Sequence, residues 1–309
     1  MLTRRQALPA LALLVTASSA ATRAQDRQRR LKVVASFSIL ADFARNVGGD
    51  RVLVDALVGA NGNAHVYAPS PADAKRVADA DLVLVNGLGF EGWLDRLVKA
   101  SGTKAPIVIT TKGITPRQRG DDHAHEQDHD DHHGAADPHA WQSVANAKVY
   151  VTNIRNALLA ADPAGKAAYE ANAAAYLAKL DALELNVRDL VAGIPADRRR
   201  VVTSHNAFGY FQDAYGIMFS APQGVSTEAE ASAKDVAAII AQIKKQKAAA
   251  VFFENVTDPR LVKQIASETG AKVGGTLYSD ALTGDGGDAA TYIDLIRHNL
   301  KELGTALVG

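Results

Sequence analysis

The chain has 309 residues, 47% of them hydrophobic and 22% charged, which is enough for a full core and, at this length, for two domains. Lys plus Arg equals Asp plus Glu at 34 each, excluding a net field that would draw the chain to nucleic acid or to an anionic membrane surface. Cysteine is absent, so there is neither a disulfide nor a Cys to carry a lipid, and stability has to come from core size.

The N-terminus reads as an export signal over residues 1–24. Arg4 and Arg5 form a basic start, residues 7–17 are apolar but too short to span a bilayer, and Thr22-Arg23-Ala24 offers a small-residue cleavage site before Gln25. Thr3-Arg4-Arg5-Gln6-Ala7-Leu8 fits a twin-arginine signal, and an ordinary secretory start contains the same residues. No other stretch approaches the ~20 apolar residues of a transmembrane helix. The expected product is free in a Gram-negative periplasm.

Strands and helices then alternate in two blocks. In the first, residues 29–161, the spacing predicts strands over 31–37, 81–87 and 106–110, a strand-like run over 52–58, and helices over 39–47, 71–80 and 92–100, with Pro71 opening the second helix. These strands are continuous apolar runs, which favours a parallel sheet covered on both faces. A linking segment, 162–194, holds a long helix over 163–191, about 28 residues or ~40 Å. Tyr169, Tyr176, Leu177, Leu180, Leu183 and Val187 lie at helical spacing along it as a packing stripe. Asp162 can cap it, Pro163 takes its first position, and Gly193 and Pro195 end it.

The second block, 195–309, repeats the alternation, with strands over 201–204, 218–220, 249–253 and 272–277 and helices over 207–215, 233–247, 259–269 and 289–307. The fold class is therefore α/β: two lobes, each a mainly parallel sheet covered by helices, joined by one long backbone helix.

Four metal-friendly side chains sit at or just beyond strand-like runs. His65 follows the run 52–58, His139 lies in Asp137-Pro138-His139-Ala140-Trp141, His205 closes Val201-Val202-Thr203-Ser204, and Asp280 closes the run 272–279. In open α/β sheets ligands bind outside the carboxyl ends of strands, which places at least three of the four at one such crevice between the lobes. Three imidazoles and a carboxylate suit tetrahedral zinc, whereas manganese and magnesium favour more oxygen. Each residue also has a bland role: a lone strand-end His is more often structural, Asp280 could cap the last helix, and Asp137 and Asp162 read as cap or turn residues. Four protein ligands leave no open position for water, which favours binding and release over catalysis. The rival from another class is a zinc hydrolase with Asp280 or Glu254 as base, and it lacks a His-Glu-x-x-His helix.

A second metal-friendly stretch is Asp121-Asp122-His123-Ala124-His125-Glu126-Gln127-Asp128-His129-Asp130-Asp131-His132-His133, inside a segment 119–136 whose composition cannot bury a core. The expectation is a mobile loop whose His123, His125, His129, His132 and His133 hold additional zinc weakly and exchange it with the main site; a solvated linker is the alternative. His298 reads as a packing or surface residue of the last helix, and Glu228 and Glu230 as a solvated face or a contact for a partner protein.

The segments Ala35-Ser36-Phe37-Ser38-Ile39-Leu40-Ala41-Asp42, Asn63-Ala64-His65-Val66-Tyr67-Ala68-Pro69-Ser70-Pro71, Asp137-Pro138-His139-Ala140-Trp141, Thr203-Ser204-His205-Asn206-Ala207-Phe208-Gly209-Tyr210-Phe211 and Leu277-Tyr278-Ser279-Asp280 together span nearly all of the mature chain. In this combination the chain resembles the periplasmic zinc/manganese solute-binding proteins of ABC transporters, of the zinc-uptake type. The resemblance implies a monomeric receptor with its metal in the inter-lobe cleft on His65, His139, His205 and Asp280. It also implies delivery of Zn2+ to an inner-membrane ABC permease, with a periplasmic zinc chaperone as a further partner and no role for nucleic acid. Manganese-specific relatives usually have a carboxylate at the position of His205, and zinc receptors often carry a disulfide in the second lobe, which this chain cannot form. Manganese uptake and surface adhesion are the alternatives within the same family.

Overall fold

A computed structural model of the chain describes residues 29–118, 136–246 and 248–308. The expected export signal and residues 119–135 of the His/Asp-rich segment lie outside the described residues.

The first sheet is built from β1 (Leu31–Phe37), β2 (Val52–Val58), β3 (Leu82–Val85) and β4 (Ile107–Ile109), all parallel, in the order β2-β1-β3-β4. Val33 to Phe37 and all of β3 are buried, as continuous apolar strands sandwiched between helices should be. The register pairs Leu31 with Val52, Val33 with Leu82 and Val83 with Ile107. Around it lie α1 (Ser38–Gly48), α2 (Pro71–Ala78) and α3 (Leu94–Ser101). The start of α2 is fixed by a capping box in which Ser70 and Asp73 exchange side-chain and backbone hydrogen bonds, with Pro71 just inside.

The second sheet repeats the plan with β5 (Arg200–Val202), β6 (Met218–Ser220), β7 (Ala250–Glu254) and β8 (Val273–Leu277), parallel and ordered β6-β5-β7-β8. In each sheet the chain leaves the first strand to one side and returns on the other, which puts a switch point beside β1 and another beside β5. Both sheets are parallel and helix-covered, as expected.

Two helices, α4 (Val144–Ala161) and α5 (Lys166–Ala192), pack side by side, and α5 also packs against α1 from the first block and α6 (Gly209–Tyr215) and α9 (Tyr292–Leu307) from the second. Its buried face is Tyr169, Ala173, Tyr176, Leu180, Leu183, Val187 and Val191, close to the predicted stripe. The remaining helices, α7 (Ala233–Gln246) and α8 (Arg260–Thr269), cover the outer side of the second sheet around Val202, Val251 and Val262.

The structure departs from the sequence reading at three places. The long helix starts at Lys166, because Pro163–Gly165 forms a separate 3-10 turn and Asp162 accepts hydrogen bonds from Arg51 and the Tyr169 hydroxyl instead of capping. The 18-residue α4 was not expected at all, although Val144, Ala147, Val151, Ile154 and Leu158 bury one face at helical spacing. Finally, the cap of α9 is Thr291, whose hydroxyl accepts from the Asp294 N–H, so Asp280 has no capping duty there.

Candidate metal centre

His65, His139, His205 and Asp280, separated by 215 positions from first to last, meet in one buried cluster whose candidate donor atoms all lie within 4.8 Å of one another. The first sheet contributes His65 from the turn after β2, and His139 stands just before the 3-10 turn Ala140–Gln142 that leads into α4; the second contributes His205 just past β5 and Asp280 just past β8. The four residues expected at one crevice do come together, three of them (His65, His205 and Asp280) beyond the carboxyl ends of strands and His139 by another route.

The Nε2 atoms of His65 and His139 are 3.3 Å apart. Asp280 lies among them, with Oδ2 at 3.3 Å from His65 Nε2 and 3.2 Å from His205 Nε2, and Oδ1 at 3.5 Å from His139 Nε2. His139, His205 and Asp280 are 0% exposed and His65 is 5% exposed.

Each of two imidazoles is held from behind by a carboxylate. His139 Nδ1 is 2.8 Å from Asp137 Oδ1, which also accepts the His139 backbone N–H. His205 Nδ1 is 2.6 Å from Glu254 Oε2, while Glu254 Oε1 accepts the backbone N–H groups of Ser204 and His205. A carboxylate can only accept, so these contacts assign hydrogen to both Nδ1 atoms and leave both Nε2 atoms facing the cluster. Carboxylate-backed imidazoles of this kind are the usual outer shell of a metal-ligating His.

The loop bearing Asp280 is fastened to the first half of the molecule. Trp141 Nε1 and Gln142 Nε2 both donate to the Ser279 carbonyl at 2.9 and 2.7 Å, and the Leu282 N–H donates to Ser38 Oγ at 3.0 Å. Phe90 packs edge-on against His65 at 4.8 Å and Trp141 against His139 at 5.3 Å between ring centroids, which dries the cluster from the first-sheet side.

Electrostatics follow from this crowding. Burial depresses His65, with the Asp280 carboxylate acting against that shift. Burial would also depress His205, but the facing carboxylates of Glu254 and Asp280 win and raise it well above the ordinary imidazole value. Burial would raise Asp280; His205 and His139 instead hold it well below the usual carboxylate range. The raised value favours a proton on His205 when no cation is bound.

Sequence reasoning had assigned Asp137 to a cap or turn and Glu254 to a hypothetical hydrolytic base. Asp137 does close a local turn onto the His139 N–H, and it orients that ring as well. Glu254 Oε1 accepts two backbone N–H groups of the His205 loop and Oε2 lies 2.6 Å from His205 Nδ1, so it faces the ring and not a substrate. His298 packs on Tyr278, with Nε2 at 3.0 Å from the Thr276 carbonyl, away from the cluster.

Two parallel sheets opening onto a buried His3Asp cluster define a class, the two-lobed metal-binding receptors. The chain belongs to the family described as "Zinc-uptake complex component A periplasmic", which it matches over residues 33–306. It is 36% identical to the iron-binding protein YfeA of Yersinia pestis over 284 residues, 92% of this chain and 88% of that one. It is also 36% identical to the manganese-binding lipoprotein MntA of Halalkalibacterium halodurans over 271 residues, 87% of this chain and 86% of that one. Among solved structures, the periplasmic zinc binding protein TroA from Treponema pallidum superposes with a TM-score of 0.83 at 29% identity, covering 91% of this chain and all of that one.

Proposed function

We propose that this protein is a periplasmic receptor that captures zinc on His65, His139, His205 and Asp280 and delivers it to an ABC permease. The observation that carries the reading is the convergence of three imidazole Nε2 atoms on a buried carboxylate with two of the rings locked by Asp137 and Glu254. Tetrahedral zinc with arms of about 2.0–2.1 Å has edges of roughly 3.3–3.4 Å between ligand atoms. The 3.2 and 3.3 Å separations of Asp280 Oδ2 from His205 and His65 Nε2, and the 3.3 Å between the Nε2 atoms of His65 and His139, match that size. A nitrogen-rich set also suits zinc better than manganese.

One feature of the cluster favours a second reading, manganese or iron: both Asp280 oxygens face it, Oδ1 toward His139 and Oδ2 toward His65 and His205, so the carboxylate can supply an extra oxygen ligand. The names of YfeA and MntA point the same way. A competitive titration of the mature protein with zinc and manganese against a chelator of known affinity decides between them, read beside His205→Ala. Tight one-site zinc binding that collapses in the variant supports the zinc receptor; preference for manganese moves the cargo, and an unaffected variant removes the ligand set. Deleting residues 121–133 should lower zinc stoichiometry or the rate of transfer while leaving the tight site intact, and unchanged values for both would leave that segment a linker.

A further inference from the structure

His65 is the one proposed ligand with any exposure, and a cavity of about 270 Å3 lies over it, lined by Gly89, Phe90 and Pro138 on one side and Ser226 and Glu228 on the other. This mouth lies between the 226–229 segment and the first half of the molecule, with His65 in its lining. His65 itself rides on residues 59–65, which contain no helix or strand and include Asn61 in the left-handed region at φ 53°.

Such a segment takes its position from hydrogen bonds, and most of those go across the cleft. Asn61 N–H donates to the Leu282 carbonyl at 2.8 Å, and Asn255 Nδ2 donates to Asn61 Oδ1 at 3.2 Å. Asn63 is the junction. Its Oδ1 accepts the His65 N–H at 3.0 Å, and its Nδ2 donates to Thr227 Oγ1 at 2.8 Å and to the Val256 carbonyl at 3.2 Å. Thr227 lies between the lining residues Ser226 and Glu228, and its hydroxyl also donates to Asn63 Oδ1 at 3.2 Å. One side-chain amide thus fixes the backbone of a proposed ligand and closes the mouth beside it.

We propose that Asn63 and Thr227 form a release latch: they are positioning residues that tie His65 to the opposite wall of the mouth, so that parting the two walls loosens His65 and frees the cargo. The latch rests on the receptor reading above. Because Thr227 touches no proposed ligand, its loss acts on release and leaves the bound cluster itself intact.

The test uses the mature protein loaded with zinc and mixed with excess chromophoric chelator in stopped flow, with Thr227→Val and Thr227→Ser beside the wild type. Valine keeps the branched shape without the hydroxyl; serine keeps the hydroxyl. Loss of the hydroxyl should speed release in Thr227→Val about fivefold to thirtyfold, the equivalent of ~1 kcal/mol for each of its two hydrogen bonds to Asn63. Release in Thr227→Ser should return to within about twofold of wild type, and the melting temperature of Thr227→Val should fall by no more than the few degrees that loss of these bonds implies. Wild-type release from Thr227→Val, or equally fast release from both variants, overturns the latch while the loaded wild type still upholds the receptor. A wild type that loads neither zinc nor manganese overturns both.

Discussion

Replacing Glu254 by Gln tests whether the second row of carboxylates sets metal affinity. The Gln carbonyl can still accept the Ser204 and His205 N–H groups, now received by Glu254 Oε1 at 2.7 and 2.8 Å, so the loop should hold its shape. The other arm, now 2.6 Å from His205 Nδ1, exchanges an acceptor for an NH2 donor. Two N–H groups then oppose each other, and relief requires the His205 tautomer with hydrogen on Nε2, which cannot ligate. Changes at such orienting residues typically cost 10–100-fold in metal affinity, about 1.4–2.8 kcal/mol. Chelator competition at pH 8 reads the effect directly. The loss should shrink at lower pH, because Glu254 also raises His205 in the metal-free protein and its removal weakens the competing proton. Affinity of Glu254→Gln within twofold of wild type at pH 8, alongside a large loss in His205→Ala, would refute the orienting role.

Metal binding should release about one proton near neutral pH, because the cation displaces the proton held on His205 by Glu254 and Asp280; calorimetry in two buffers of different ionisation enthalpy measures it, and zero release from pH 6 to 8 contradicts the assignment. The same shift has a sign for the metal-free protein: its folded value is raised, so the stabilisation is complete below about 6.5 and is lost as pH rises through the folded value, a loss that the metal-loaded protein should not show in thermal melts. Asp73 is the opposite case. Burial would raise its carboxyl, but the Ser70 backbone and hydroxyl, Arg76 and Tyr67 bring it down to about 2, so its contribution is present above 3.8 and fades as pH falls through 2. Asp73→Ala should cost about 1–2 kcal/mol at pH 7 in urea unfolding, with a much smaller difference from wild type at pH 2. At the Asp280 loop, Trp141→Phe and Gln142→Leu each leave the Ser279 carbonyl one donor and should cost about 1 kcal/mol, whereas the double variant strands a buried acceptor and should exceed their sum.

What the sequence made legible follows from what is local. Val33 to Phe37 and Leu82 to Val85 announce central parallel strands because both of their faces are apolar, and a His or Asp that follows such a run must emerge at a carboxyl end. That suffices for His65, His205 and Asp280, whereas His139 follows no strand and was legible through Asp137-Pro138-His139-Ala140-Trp141. The helix α4 escaped because its apolar face is spelled in Ala, Val and Ile between Asn, Lys and Thr, a pattern with little helical contrast. The part played by Glu254 depends on strand order: only when β7 lies beside β5, with Val251 opposite Val202, does the end of β7 reach the loop that carries His205. Nothing in the order of residues along the chain announces that neighbour.

The buried charges explain why the centre asks for a divalent ion. Asp280, Asp137 and Glu254 bring three negative charges, and Arg117, 5% exposed with Nη1 3.8 Å from Asp137 Oδ2, brings one positive charge. With neutral imidazoles that leaves −2, since Asp213, the other partner of Arg117, is 56% exposed and screened by solvent. The proton on His205 makes it −1, and a divalent cation in its place makes it zero, whereas a monovalent ion would leave a buried deficit and a trivalent one an excess. Counting only the four proposed ligands gives +1 with metal bound; the two orienting carboxylates and Arg117 remove that surplus. On the proposed ligand set, Asp137 and Glu254 would act twice, by turning imidazole lone pairs inward and by letting a doubly charged ion sit in a dry pocket without a net charge.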